Sequence, residues 1–96
     1  MSGSAGRAPR FARGVRFRRL EDGSGVLLVP EGVVNLTETA AAIVELVDGV
    51  RTPADMAAAL GKVFDAPPDR ISADVSELLG RLSDKTWILV PDNASS

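Results

Sequence analysis

The chain has 96 residues and a formal net charge of −2, with 45% hydrophobic and 25% charged residues, which is an ordinary globular composition. This length allows one small domain whose single hydrophobic core is only just sufficient for stability. The chain contains no cysteine and no histidine. Their absence excludes disulfide bonds, the common zinc and iron–sulfur sites, thiol nucleophiles and histidine-based acid–base catalysis.

The positive charges are concentrated at the N-terminal end. Six arginines and no acidic residue occur in the first 19 residues, whereas the other 77 residues carry a net charge of −8. Such an asymmetry is typical either of a nucleic-acid or acidic partner, or of a solvated tail followed by the exposed face of a strand. Residues 1–12 are predicted to be a flexible basic arm or linker, and residues 91–96 a flexible tail.

No segment predicts membrane insertion or catalysis. The apolar runs fall well short of the ~20 residues of a membrane-spanning helix, and the N-terminus has no signal-peptide hydrophobic region. The carboxylates are spread along the chain, and there is no glycine-rich phosphate loop. We therefore expect a soluble cytoplasmic protein that is not an enzyme and uses no metal or cofactor.

Three strands are predicted before the first helix. Residues 15–18 alternate apolar and charged side chains, as in a half-buried strand. Residues 26–29 are a continuous apolar strand between two turn-forming segments, 21–25 and 30–32. A short third strand starts at Val33, so the three strands form an antiparallel meander with the third strand at one edge.

Three helices are predicted next. The first covers residues 36–48, with Asn35 and Glu38 at capping-box spacing and Gly49 as its left-handed end. Thr52 is predicted to cap the second helix, and Asp69 or a neighbour the third. The order indicates an α+β fold, a winged helix-turn-helix-like arrangement of a three-stranded antiparallel sheet followed by three helices. An extended apolar segment at 87–90 must dock on this domain.

Several motifs occur in the order seen in a known family. They are Arg-Gly-Val-Arg at 13–16, Val-Leu-Leu-Val-Pro-Glu at 26–31, Asn-Leu-Thr-Glu-Thr-Ala-Ala-Ala-Ile at 35–43, Asp-Gly-Val-Arg-Thr at 48–52 and Phe-Asp-Ala-Pro at 64–67. The chain resembles PqqD, the peptide chaperone of pyrroloquinoline quinone (PQQ) biosynthesis, a recognition element for the precursors of ribosomally made, modified peptides (RiPPs). The resemblance spans residues 13–90, which are therefore expected to form a PqqD-like peptide-binding domain.

The resemblance implies a role without catalysis. Members of this family bind a precursor peptide, PqqA, and present it to the radical S-adenosylmethionine (SAM) enzyme PqqE, which crosslinks a glutamate and a tyrosine of the peptide. The partners expected for this chain are therefore PqqA and PqqE, with no nucleic acid and no membrane, and with a monomer or weak homodimer as the oligomeric state.

The edge strand offers a physical mechanism for this role, because its unpaired backbone groups can pair with an extended peptide. The predicted peptide-binding residues are Val33, Val34, Asn35 and Leu36 on the edge strand, and Arg70, Ile71, Asp74, Val75, Leu78 and Arg81 on the third helix. On this interpretation a Val34→Pro substitution removes an edge amide and weakens peptide binding more than stability. The alternative is that the apolar stripe of the third helix is entirely core.

Two further interpretations remain open from the sequence. Asp48 and Arg51 are candidate contacts for the enzyme partner, or they form a surface pair beside a helix end. The whole domain is alternatively a winged-helix nucleic-acid-binding module or a dimerisation module. Nucleic-acid binding is disfavoured because the second helix offers only Lys62 against Asp55, and the third helix is net negative.

Overall fold

The computed structural model describes residues 8–90. In chain order its elements are β1 (Arg10–Phe11), β2 (Arg16–Arg19), β3 (Gly25–Val29), β4 (Gly32–Leu36), α1 (Glu38–Glu45), α2 (Pro53–Leu60), α3 (Pro68–Asp84) and β5 (Ile88–Leu89). The predicted α+β fold, with a three-stranded antiparallel sheet followed by three helices, is confirmed. None of the described helices is long and apolar enough to cross a membrane.

Strands β2, β3 and β4 form one antiparallel sheet with β3 in the centre, so β4 is an edge strand as predicted. The hairpin between β3 and β4 has a two-residue turn, and its register runs from Val29 opposite Gly32 to Gly25 opposite Leu36. Along β3, residues 25, 27 and 29 are buried and residues 26 and 28 are half-buried. The sheet therefore has one face against the core and one face outside it.

The core lies between the inner face of the sheet and the three helices. Helix α1 contacts all three strands of this sheet. Leu27 from the sheet, Val44 from α1 and Met56 from α2 are fully buried, and Val75 from α3 is 1% exposed. The core is aliphatic, as expected for a chain with few aromatic residues.

A second, two-stranded sheet joins the two ends of the described chain. Strand β1 pairs with β5, with Phe11 opposite Ile88, and the Ala12 amide donates to the Trp87 carbonyl at 2.9 Å. Ala8 is 8% exposed, and Pro9 is among the fully buried residues. The prediction of a flexible arm over residues 1–12 is therefore wrong for residues 8–12, because those residues pair and pack with the domain. Residues 1–7 and 91–96 lie outside the described residues.

The predicted start of the first helix is also wrong. Helix α1 begins at Glu38, and its N-cap is Thr37, whose hydroxyl oxygen accepts from the Ala40 amide at 3.2 Å. Asn35 is not the cap because it belongs to β4, opposite Val26. The helix ends at Glu45, so the left-handed Gly49 (φ +80°) bends the following loop and does not close the helix.

The caps of the other two helices differ in how well the sequence predicts them. Thr52 and Asp55 form the predicted capping box of α2, with both bonds at 3.1 Å. Helix α3 has Pro67 at its N-cap position and no side-chain cap bond, so the predicted capping by Asp69 is wrong. Asp69 lies instead in the first turn of α3, where its charge is favourable to the helix dipole.

Candidate functional site

A groove of about 460 Å³ lies between β4 and the C-terminal half of α3. Its apolar lining consists of Val34, Leu36, Ala40, Leu78, Leu82 and Trp87. Polar side chains also line it, among them Arg81, Asp84 and Lys85. The groove therefore runs beside a sheet edge and combines an apolar surface with charges of both signs.

The register of the hairpin decides which backbone groups of β4 are free. In an antiparallel pair closed by a two-residue turn, the residues flanking the turn bond to each other, and the bonded pairs then recur at every second residue. Since Val29 is opposite Gly32, residues 32, 34 and 36 direct their backbone groups toward β3. Val33 and Asn35 therefore present their amides and carbonyls at the free edge.

The neighbouring hairpin supports this assignment independently. The Leu20 amide donates to the Ser24 carbonyl at 2.8 Å, so Ser24 directs its backbone groups toward β2. By alternation, residues 26 and 28 also bond toward β2, and residues 25, 27 and 29 bond toward β4. The prediction that Val34→Pro removes an edge amide is therefore wrong, since the Val34 amide belongs to the pairing with β3.

Side chains alternate in the same way along β4. Leu36 is buried and Val34 is half-buried on the face that packs against the helices, whereas Val33 and Asn35 are exposed on the other face. A peptide strand paired with Val33 and Asn35 would thus direct every second side chain into the groove. The remaining side chains would lie on the outer face of the sheet.

Trp87 is held at several points where the groove meets the β3–β4 turn. Its indole Nε1 donates to the Glu31 carboxylate at 3.3 Å, and its backbone amide donates to the Leu82 carbonyl at 3.0 Å. Thr86 before it has a left-handed conformation, with φ +62°, which a β-branched residue rarely adopts. Trp87 is half-buried, so part of its ring remains accessible from the groove.

The predicted site residues separate into two groups in the structure. The groove is lined by Val34, Asn35, Leu36, Leu78 and Arg81, and Val33 belongs to the edge strand itself. Arg70, Ile71 and Asp74 line a different cavity of about 220 Å³, which also contacts α1 and the end of α2. Val75 is 1% exposed and serves the core.

This separation has a geometric cause. A helix of 17 residues, the length of α3, extends for roughly 25 Å. A five-residue strand such as β4 extends for only about 17 Å. β4 can therefore lie beside only part of α3, and the groove lining shows that this part is the C-terminal half, with Leu78, Arg81 and Leu82.

Sequence reasoning missed six groove residues, which are Thr37, Ala40, Leu82, Asp84, Lys85 and Trp87. Leu82 lies one helical turn after Leu78 on the same stripe, so its spacing was a usable signal. Trp87 was expected to dock somewhere on the domain, but its position depends on contacts with Ala12, Glu31 and Leu82, which the sequence pattern does not show.

The loop after α1 is organised by Asp48. Its Oδ1 accepts hydrogen bonds from the amides of Val50 and Arg51, and its Oδ2 accepts one from Nη1 of Arg51, each at 2.9 Å. The Arg51 amide, followed by the Val50 amide, lowers the pKa of the Asp48 carboxyl below its usual value. These bonds account for Asp48 and Arg51 as a loop-stabilising pair, and their contact with an enzyme partner stays a prediction.

The fold, with an open sheet edge beside a groove, defines a small binding module. The family profile described as Coenzyme PQQ synthesis protein D (PqqD) matches residues 24–88. The chain belongs to the PqqD family, as the resemblance of its motifs predicted. It is thus a member of a family of non-catalytic binding modules.

Two curated relatives illustrate the match. The PqqA binding protein of Azotobacter vinelandii is 42% identical over 81 residues, which cover 83% of this chain and 87% of the relative. The bifunctional coenzyme PQQ synthesis protein C/D of Methylorubrum extorquens is 42% identical over 78 residues, or 80% of this chain. The match covers only 21% of that bifunctional protein.

Solved structures show the same fold. The solution structure of the PqqD part of Methylobacterium extorquens PqqCD, described as a stand-alone RiPP recognition element, has a TM-score of 0.71 and 40% identity, covering 84% of this chain and 87% of that one. Lasso peptide synthetase B1 complexed with its leader peptide has a TM-score of 0.72 at 24% identity, covering 85% of this chain and 98% of that one. At that identity the second likeness concerns the fold alone.

Proposed function

We propose that this protein binds the precursor peptide PqqA as an added strand on β4 and presents it to the radical SAM enzyme PqqE for crosslinking of a glutamate and a tyrosine. The observation that supports the site is the free backbone of Val33 and Asn35 beside the groove between β4 and α3. Membership of the PqqD family and the likeness to relatives named PqqA binding protein support the ligand.

Strand addition divides the binding energy into two parts. Backbone bonds to Val33 and Asn35 contribute about 0.5–1.5 kcal/mol each, largely independently of peptide sequence. Side chains that enter the groove bury apolar surface against the half-buried Val34, Leu78 and Trp87. Selectivity therefore comes from every second residue of the peptide, because only those residues face the groove.

Charges beside the groove favour one register of the peptide over others. Arg81 already binds Glu77 at 3.0 Å on the surface of α3. No ion pair is recorded for Lys85 or Asp84 within residues 8–90, and both line the groove. An acidic peptide side chain near Lys85, or a basic one near Asp84, would align the peptide along β4.

A proline substitution at Asn35 tests strand addition directly. Asn35→Pro removes an amide from the free edge and leaves the bonded pairs with β3 in place, whereas Asn35→Ala removes only the side chain. We expect Asn35→Pro to weaken PqqA binding by about tenfold or more, since an unmade bond costs about 1–3 kcal/mol. Asn35→Ala should bind much as the parent does. Isothermal titration calorimetry with synthetic PqqA measures both.

The fold of each variant is checked by its amide NMR spectrum, so that a loss of binding is not a loss of structure. In the parent, titration with PqqA should shift the amides of residues 33–36 and 78–87. A folded Asn35→Pro variant that binds as tightly as Asn35→Ala would rule out strand addition at β4. Absence of any saturable shift in the parent would rule out the proposed ligand.

A further inference from the structure

We infer that the outer face of the β2–β3–β4 sheet is the docking surface for a protein partner that presents an apolar patch bordered by carboxylates. The outer face consists of Arg16, Arg18, Val26, Leu28, Val33 and Asn35. The inference rests on the proposed function, because the partner it names is the enzyme that receives the bound peptide. It assigns that enzyme to a face on the other side of the sheet from the groove.

The strand register arranges this outer face in two rows. Arg16 on β2 is opposite Leu28, which is opposite Val33 on β4. The second row consists of Arg18, Val26 and Asn35 in the same order. Each row thus leads from an arginine at one edge, across an apolar residue, to the free edge at β4.

No helix within residues 8–90 covers this face. Val26 and Leu28 are half-buried but do not belong to the set of side chains that pack against the core, and α1 contacts the sheet from its inner side. Val33 is 61% exposed. Apolar side chains left together on one sheet face are a common feature of protein interaction sites.

The arginines of the outer face are available to a partner. Within residues 8–90 the recorded ion pairs are Arg19 with Glu45, Arg51 with Asp48 and Arg81 with Glu77. Arg16 and Arg18 take part in none of them and are exposed. By contrast Arg19, which follows them on β2, is turned to the inner side and binds α1 through Glu45. Unpaired guanidinium groups beside an apolar patch fit carboxylates on a protein surface.

Strand addition at β4 would extend both rows. The peptide residues directly across from Val33 and Asn35 would place their side chains on the outer face, since side chains of paired residues share a face. A protein docked there would contact this chain and the peptide together. The peptide should therefore strengthen the association with the enzyme.

The same observations favour a protein over a nucleic acid. The middle of the face is apolar, and it carries two arginines, whereas nucleic-acid binding depends on neutralising many phosphates. A second copy of this chain fits less well, because an isologous contact uses the same face of both copies, and that face carries two arginines and no carboxylate to pair with them.

Charge reversal tests the inference. The purified radical SAM enzyme is the probe, and biolayer interferometry measures its affinity for the parent, Arg16→Glu, Arg18→Glu and Lys62→Glu, each with and without saturating PqqA. Lys62 is exposed just after α2 and is the matched single charge reversal away from the sheet. PqqA affinity alone is measured for each variant by calorimetry.

We expect Arg16→Glu and Arg18→Glu each to weaken enzyme binding by about tenfold at low ionic strength, with a smaller loss at high ionic strength. Lys62→Glu should bind the enzyme as the parent does, and all variants should bind PqqA equally. Unchanged enzyme affinity in both arginine variants, or a parent that binds PqqA but not the enzyme, overturns the inference and leaves peptide binding intact. A parent that binds no PqqA overturns the proposed function instead.

Discussion

Gly25 on β3 lies directly against Ala41 of helix α1 and Phe17 of β2. A Cβ atom at this position would be 2.8 Å from Cε1 of Phe17, 3.1 Å from Cβ of Ala41 and 3.1 Å from the Arg18 carbonyl oxygen. Ala41 is fully buried, so the helix cannot retreat without opening the core. The absence of a side chain at residue 25 thus sets the distance between α1 and the strands.

Gly25→Ala should lower the free energy of unfolding by about 1–3 kcal/mol, the usual cost of an inserted methyl group in a packed core. Gly80→Ala is the matched control, because a Cβ atom on this helical residue meets nothing within 4 Å. That control should raise stability by about 0.5–1 kcal/mol through helix propensity. Urea unfolding of the two variants measures the change in the free energy of unfolding, which should be negative for Gly25→Ala and positive for Gly80→Ala. Equal changes would contradict close packing at Gly25.

The Asp48 carboxylate makes the loop after α1 sensitive to acid. Its pKa is lowered in the folded protein, chiefly by the Arg51 amide and then by the Val50 amide. A carboxyl group with a lowered folded pKa contributes stability above its unfolded pKa, and the contribution disappears as pH falls through the folded pKa. The stabilisation is therefore complete at neutral pH and is lost only in the acid range.

Asp48→Asn should be less stable than the parent at neutral pH. The difference should begin to shrink as pH falls below about 4, the ordinary pKa of the unfolded carboxyl, and should be lost as the folded carboxyl takes up its proton at lower pH. Thermal melts of both proteins from neutral to strongly acidic pH measure this difference. A gap between the melting temperatures that stays constant across the range would show that the negative charge has no part in holding the loop.

At the scale of elements, the pairing of β1 with β5 ties the N-terminal segment to the end of α3. Phe11 is opposite Ile88, Ile88 is 1% exposed, and the Gly49 amide donates to the Pro9 carbonyl at 2.8 Å. Residues 9–12 thus contact both the C-terminal strand and the loop after α1.

Deleting residues 1–12 should therefore cost at least about 2 kcal/mol, since it exposes apolar surface and leaves the partners of β1 unpaired. Deleting residues 1–7 is the control that keeps β1 and its partners, so the difference between the two shortened proteins measures the contribution of residues 8–12. Differential scanning fluorimetry compares the two shortened proteins with the parent. Equal melting temperatures for all three would contradict a stabilising role for β1.

The elements also show what the sequence can predict. The cap of α2 depends on residues 52–55 alone, so a local pattern predicts it correctly. The cap of α1 was predicted at Asn35, but β4 extends through Leu36, so the cap is Thr37, the first residue after the strand. Strands of two residues such as β1 have no periodicity to read, and β5 lies far away along the chain.

The candidate site shows the same limit. The edge position of β4 follows from the order of the strands, and the sequence predicts it. Which half of α3 lines the groove depends on how the helix crosses the domain. The sequence pattern therefore could not separate Leu78 and Arg81, which line the groove, from Arg70 and Ile71, which line another cavity. Which residues of β4 have free amides depends on the turn between β3 and β4. With the register known, the Val34 amide is bonded to β3 and the Asn35 amide is free.

At the scale of the whole molecule, positive and negative charges are on different elements. Arg16, Arg18 and Arg19 form most of β2, whereas α3 carries four acidic and two basic residues. A helix that enters the major groove of DNA must instead be basic to neutralise phosphates. The charges of α3 therefore argue against nucleic-acid binding by this helix.

Peptide binding should also be visible as stability of the entire domain, because a ligand that binds only the folded state shifts the unfolding equilibrium. With free PqqA at 100 times its dissociation constant, the stabilisation is about 2.7 kcal/mol. A domain of this size gains roughly 4–8 °C per kcal/mol, so the melting temperature should rise by about 10–20 °C.

The size of this shift separates binding by the folded domain from weak association with unfolded chains, which would lower the melting temperature or leave it unchanged. Asn35→Pro should show a much smaller shift than Asn35→Ala at the same peptide concentration, because only the proline variant lacks the edge amide. Scanning calorimetry across a series of PqqA concentrations measures both. A parent whose melting temperature does not respond to the peptide would contradict binding to the folded state. A shift of equal size in the two Asn35 variants would place the peptide away from β4.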